Sequence, residues 1–127
     1  MKYGFSKITD YGFEQAIDKV TEELKKEGFG VLTTIDVKDT LKKKIDVDFK
    51  KYTILGACNP KLAYSALQVE EELGLLLPCN IIVYEKSGKT VVSVFDPIIM
   101  TVVIENPEMK PVAEEVKKKL QRVLEAV

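Results

Sequence analysis

An α+β fold, a two-layer sandwich with a mainly antiparallel sheet of about five strands and helices packed on one face, is what this 127-residue sequence predicts. Three observations carry that expectation. Apolar residues recur at helical spacing in two long segments and again at the C-terminal end; β-branched stretches lie between them; and two of those stretches, joined through Ser87-Gly88, read as a β-hairpin.

Residues 2–8 open with Tyr3, Phe5 and Ile8 set among small or polar residues, which suits a strand with one buried face. Thr9 or Asp10 is the expected cap of a helix whose stripe is Phe13, Ile17, Val20 and Leu24. Its acids come early and its lysines late, as the helix dipole favours. Gly28 ends it, being able to enter the left-handed region, and residues 29–37 resume as a β-branched strand. A short helix is expected over residues 36–46, with Val37, Leu41 and Ile45 on one face.

Residues 52–57 read as a buried strand. Asn59-Pro60 then starts a second long helix, because Asn caps free amides and proline lacks the N–H that would be orphaned at the first position. Its stripe is Leu62, Ala66, Val69 and Leu73, with Gly74 as its end. Leu75-Leu76-Leu77-Pro78 is an apolar connector to the hairpin, whose arms are residues 81–84 and 90–95. Asp96-Pro97 closes the second arm. Residues 98–104 are apolar throughout and fit either a strand or a helical turn. Asn106-Pro107 repeats the cap-plus-proline signal before a helix with Val112, Val116, Leu120, Val123 and Val127 on one face. No linker or composition shift divides the chain, so residues 1–127 are expected to form one domain. A sheet covered on one side only leaves a face with Tyr and β-branched residues for a dimer or a ligand groove.

Composition narrows the chemistry. The chain has no histidine, which removes Ser-His-Asp and Cys-His nucleophile pairs and the common histidine metal ligands. Carboxylate, lysine, tyrosine or thiol chemistry remains. A formal net charge of −1 argues against a nucleic-acid or anionic-membrane footprint. Residues 36–51 hold six lysines, but four aspartates among them reduce the local excess to +2, and a solvated mixed-charge surface is the simpler reading. The first residues have no secretory h-region and no segment has the apolar length to span a bilayer, so a cytoplasmic protein is expected.

The candidate site is Gly56-Ala57-Cys58-Asn59-Pro60, where a strand ends in a thiol before a helix N-terminus that favours anions. On this reading Gly56 lets a ligand approach the backbone. On the plainer one Cys58 is a small buried hydrophobe, Asn59 a cap and Gly56 a tight strand exit. Pro78-Cys79-Asn80 is a second Cys-Asn pair; if their strands are neighbours, Cys58 and Cys79 can meet as a dithiol, a disulfide or two metal ligands, with free buried cysteines in a reducing cytosol as the simpler reading. No spacing nominates a metal site or a cofactor. Asp96 is the best acidic partner, with an Asx turn before Pro97 as its plainer role. Gly88-Lys89-Thr90 lacks the upstream glycine of a P-loop and sits in a hairpin. Glu70-Glu71-Glu72 and Lys117-Lys118-Lys119 read as solvated helix faces, and the five tyrosines show no base-stacking pattern.

The order of Gly56-Ala57-Cys58-Asn59-Pro60-Lys61-Leu62-Ala63, Gly74-Leu75-Leu76-Leu77-Pro78-Cys79-Asn80 and a hairpin ending in Asp96-Pro97 resembles the domain-of-unknown-function family numbered 302. The positions that match its pattern are Cys58, Asn59, Pro60, Leu77, Pro78, Cys79, Asn80, Asp96 and Pro97. The resemblance implies a compact two-layer α+β domain found in bacteria and archaea, with members that associate as dimers and no established enzymatic activity.

The function expected from these readings is a small-ligand, anion included, binding module acting as a homodimer, with Gly56, Cys58, Asn59, Cys79, Asn80 and Asp96 as candidate ligand-binding residues. Two alternatives stand beside it. One is a thiol-dependent redox or nucleophilic enzyme with Cys58 attacking and Cys79 resolving; the other is a purely structural or interaction oligomer.

Overall fold

The structure, a computed structural model, describes residues 2–127. Its sheet has five antiparallel strands in the order β1-β5-β4-β3-β2, formed by β1 (Gly4–Thr9), β2 (Gly30–Asp36), β3 (Tyr52–Cys58), β4 (Cys79–Lys86) and β5 (Lys89–Phe95). The helices are α1 (Phe13–Lys26), α2 (Val37–Ile45), α3 (Pro60–Val69), α4 (Ile99–Val103) and α5 (Met109–Glu125). The α+β architecture read from the sequence is therefore present.

Strand alternation sorts the sheet into two faces. Leu55 and Ala57 on β3, Ile81 and Val83 on β4, and Val92 and Val94 on β5 are buried in one cluster with Ala16, Val20 and Leu24 of α1 and Leu120 and Val123 of α5. A second cluster gathers Ala66 of α3, Met100 of α4, and Met109 and Ala113 of α5 around Leu73. Tyr52, Ile54, Ile82 and Tyr84 point the other way and are only half-buried.

Helix ends tie the layers together. At the end of α1 the Phe29 amide donates to the Leu24 carbonyl (2.9 Å) and the Gly28 amide to that of Lys25 (3.1 Å), with Gly28 at φ +83°. This is a Schellman closure, and its hydrophobic partners Leu24 and Phe29 both lie in the core. Arg122 of α5 holds Glu27 at 2.8 Å, joining the two helices. Lys7 of β1 donates to the Glu125 carbonyl (3.0 Å), supplying a cation to the last turn of α5. The Ser87-Gly88 turn has positive φ at both residues, 52° and 76°, as a tight two-residue hairpin requires.

Two details differ from the sequence reading, and one that it left open is decided. The cap of α1 is Gly12, whose amide donates to the Gln15 side chain (3.2 Å), while Thr9 Oγ1 accepts from the Tyr11 amide (3.3 Å) one turn earlier. The helix from Pro60 stops at Val69 and not at Gly74, and Glu71–Leu76 is a separate 3₁₀ segment. Three consecutive glutamates at the negative end of a helix dipole oppose its continuation, and the break lets Leu73 reach the second core cluster. Within 98–104 the helical alternative holds, as α4, which brings Met100 into that cluster. No helix among the described residues is long and apolar enough to cross a membrane.

Because Gly28 sits in the left-handed region and an added Cβ would lie 3.1 Å from Asn59 Nδ2, Gly28→Ala is expected to cost about 1–2 kcal/mol, read as a lower urea midpoint with an unchanged m-value.

Candidate functional site

The rows of the sheet become smaller toward one end. Beyond Leu55 and Ile81 the next cross-strand pair is Ala57 with Cys79. Opposite these short side chains α3 presents Leu62, Ala63 and Ala66, and the helices do not close the gap. The result is a cavity of about 330 Å³ between the sheet end, α3 and α5. Leu73, Met100 and Val116 bound it on the inside; Leu32 and Thr33 of the edge strand β2 stand at its side. Cys58, Asn59 and Cys79 also line it, whereas no charged residue among those described does.

Both cysteines are free thiols, Cys58 half-buried and Cys79 buried. Burial pushes the Cys79 thiol up to about 11, with the nearby Cys58 a smaller cause in the same direction. Cys79 is thus protonated at neutral pH and no nucleophile. β3 and β4 are neighbours, as a dithiol would need, but the register sets Ala57 opposite Cys79 and leaves Cys58 one residue beyond. Cys58 is therefore not the cross-strand partner of Cys79, though both thiols line the same cavity and neither is in a disulfide. No group of three or more Cys, Asp or Glu with metal-holding geometry occurs among the described residues.

Asn59 is committed to structure. Its Oδ1 accepts from the Leu62 amide (3.3 Å), capping α3, and its Nδ2 donates to the Glu27 carbonyl (3.2 Å) at the end of α1. Gly56 is also constrained by packing, not by a ligand: a Cβ there would strike Thr33 Oγ1 and come within 2.7 Å of Pro78. Asp96 lies outside the cavity. Its Oδ1 accepts from the Ile98 amide (3.0 Å) in the Asx turn before Pro97, and its Oδ2 faces Lys117 at 3.5 Å. Asn80, next to Cys79, points to the opposite face of the sheet, where it joins Tyr3, Tyr52 and Tyr84 around a separate groove. Of the six residues singled out from sequence, the fold brings Cys58, Asn59 and Cys79 together and separates Gly56, Asn80 and Asp96 from them.

Sequence reasoning did not foresee the apolar wall of this site. Leu62, Ala66 and Leu73 share one helical stripe in the sequence, of which Leu73 lies instead in the 3₁₀ segment, while Leu32 and Met100 come from a bulged strand and a five-residue helix, neither of which has a period that announces a cavity. An uncovered face with tyrosines is expected from the sequence, but not which of them meet there. Tyr52 and Tyr84 are 32 positions apart and become cross-strand partners only through the β3–β4 register.

Because the folded chain holds the Cys79 proton up to about pH 11 while the unfolded chain releases it near the ordinary value of 9.0, the linked stability is fully present below pH 9 and is lost as pH rises through 11. Denaturation from pH 8 to 11 is expected to show a steeper loss in the wild type than in Cys79→Ala, by about 2–3 kcal/mol across that window.

The family model described as Domain of unknown function DUF302 matches residues 5–127 of the chain. Among solved structures, the crystal structure of an uncharacterized conserved protein DUF302 from Bacillus stearothermophilus is similar: 30% sequence identity, a TM-score of 0.92, and coverage of 99% of this chain and 98% of that one. No curated protein matches.

Proposed function

The chain belongs to the DUF302 family, and we propose that it is a small-ligand-binding module, a cytoplasmic homodimer of one-domain chains, whose ligand is an uncharged apolar molecule held between the sheet end, α3 and α5. The observation that carries this reading is the cavity of about 330 Å³ lined by neutral side chains. That volume falls at the lower end of the range of small-molecule sites, about 300–1,000 Å³. Ala57, Ala63, Ala66 and Leu62 offer dispersion contacts, and the neutral thiol of Cys79 adds a polarizable surface without a charge.

An anion at the start of α3 has less to hold it. Pro60 has no N–H, the Leu62 amide is taken by Asn59 Oδ1, and the Ala63 amide donates to the Asn59 carbonyl at 2.8 Å. The ligand class favoured is therefore apolar. Two free cysteines accord with a reducing compartment.

The dimer is best accounted for by the edge of β2. Its sequence, GVLTTID, contains neither Lys nor Pro, and Leu32 and Ile35 are 67% and 47% exposed. Such an edge invites pairing with another strand. The opposite edge, β1, carries an inward-directed charge in Lys7, one of the devices that discourage it. A second copy along β2 would lie beside Leu32 and Thr33 and so beside the cavity.

Titration with indole and n-decanol, followed by amide chemical shifts, is expected to perturb the cavity-lining residues, and Ala63→Phe is expected to abolish the effect while leaving the remaining spectrum dispersed. Shifts absent in the wild type, or unaltered in the variant, would remove this reading. For the dimer, sedimentation equilibrium is expected to give twice the 14.3 kDa of the chain, falling to one copy in Leu32→Lys/Ile35→Lys. A monomeric wild type rejects the dimer; a dimeric double variant rejects the β2 edge.

A further inference from the structure

The side of the sheet away from the helices carries a groove of about 470 Å³. We propose that this groove is a second binding site, separate from the apolar cavity, and that it takes a planar aromatic carboxylate. Its floor is a row of aromatic rings. Tyr52 and Tyr84, cross-strand partners that both line it, stack with centroids 5.3 Å apart and planes 21° from parallel, and Phe49, outside the groove, stands 6.1 Å from Tyr52. Both tyrosines are half-buried, so part of each ring is in reach of an aromatic molecule held in the groove.

Charge selects the ligand. Among the described residues that line the groove Lys50 is the one charged side chain, and its ammonium stands 4.9 Å from the centre of the Tyr84 ring. The neighbouring Lys51 is engaged by Glu14 at 2.7 Å, whereas Lys50 is directed over the aromatic row. An aromatic ring held in the groove against Tyr52 and Tyr84 would bring a carboxylate on its rim to that ammonium. Asn80 supplies an exposed amide on the same floor, and Ser6 and Ser93 bond to each other at 2.6 Å. Burial together with Tyr84 and Tyr3 keeps the Tyr52 phenol protonated, and hence a donor, beyond its ordinary range.

The balance of one cation and several neutral donors fits a single negative charge. A phosphate dianion would call for a second cation or a cluster of free amides. A nucleic-acid strand needs a basic track that a chain of net charge −1 does not lay down on this face. The groove shares no lining residue with the apolar cavity, so the two sites stand or fall separately.

The test uses benzoate, with benzamide as its uncharged counterpart and cyclohexanecarboxylate as its non-planar one, titrated into the whole chain and followed by amide chemical shifts. Benzoate is expected to move the amides of Tyr52, Asn80, Ile82 and Tyr84, and to bind at least tenfold more tightly than either analogue. Lys50→Met, at an exposed position, and Tyr84→Leu are each expected to weaken benzoate at least tenfold without moving the cavity residues. No shift on this face, or equal binding of benzoate and benzamide, would overturn the proposal. So would amides of this face that shift with protein concentration alone, since a second copy would then occupy it.

Discussion

One row of side chains crosses four strands of the sheet: Phe5 on β1 beside Val94 on β5, Val94 beside Ile81 on β4, and Ile81 beside Leu55 on β3. Leu55, Ile81 and Val94 have almost no exposure, and α1 and α5 lie over them. Slipping any of these strands by one residue would replace the row with residues of the opposite face, such as Ile82, Ile54 or Ser93, and uncover the core. Register is thereby fixed by burial. Everything else in the molecule takes its position from that row, including which residues share a face and where the helices must end.

The next row toward the sheet end is small, Ala57 with Cys79, and this is the physical origin of the cavity. Helices that rest on Leu55 and Ile81 cannot also settle onto side chains several atoms shorter. α3 crosses the gap with alanines of its own, and a void remains. The same low polarity that makes it suitable for an apolar ligand holds Cys79 in its thiol form. The opposite face follows a different rule. On that face Tyr52 and Tyr84 are half-buried and Asn80 is exposed, and the groove there is polar and aromatic where the cavity is apolar.

The two Cys-Asn pairs show how far a sequence motif can be read. As dipeptides they are identical, and both stand at strand termini. Cys58-Asn59 ends a strand, and its Asn turns back to cap α3 and tie it to α1; Cys79-Asn80 begins a strand, and its two side chains go to opposite faces of the sheet. Asp96 likewise carries the turn that its place before Pro97 implies, with Lys117 as a neighbour contributed by a distant helix. The positions marked from sequence are mostly those where the chain changes direction. Such positions collect Asn, Asp, Pro and Gly for backbone reasons before any ligand is considered.

Local sequence was sufficient wherever the determining physics was local. Period located α1, α2 and α5, the Asn59 cap the start of α3, and turn residues the hairpin; Gly28 marked the end of α1 because a left-handed residue is needed there, and the absence of histidine bounded the chemistry. It was not sufficient where distant residues compete for one space. The early stop of α3, the helical form of 98–104, the cavity among Leu32, Leu73 and Met100, and the alignment of Tyr52 with Tyr84 all follow from strand register and from which side chains the core accepts. Register is a relation between segments. A single segment carries its own periodicity but no record of its partner, so the pairing, and the two sites that depend on it, were decided only when the sheet closed against its helices.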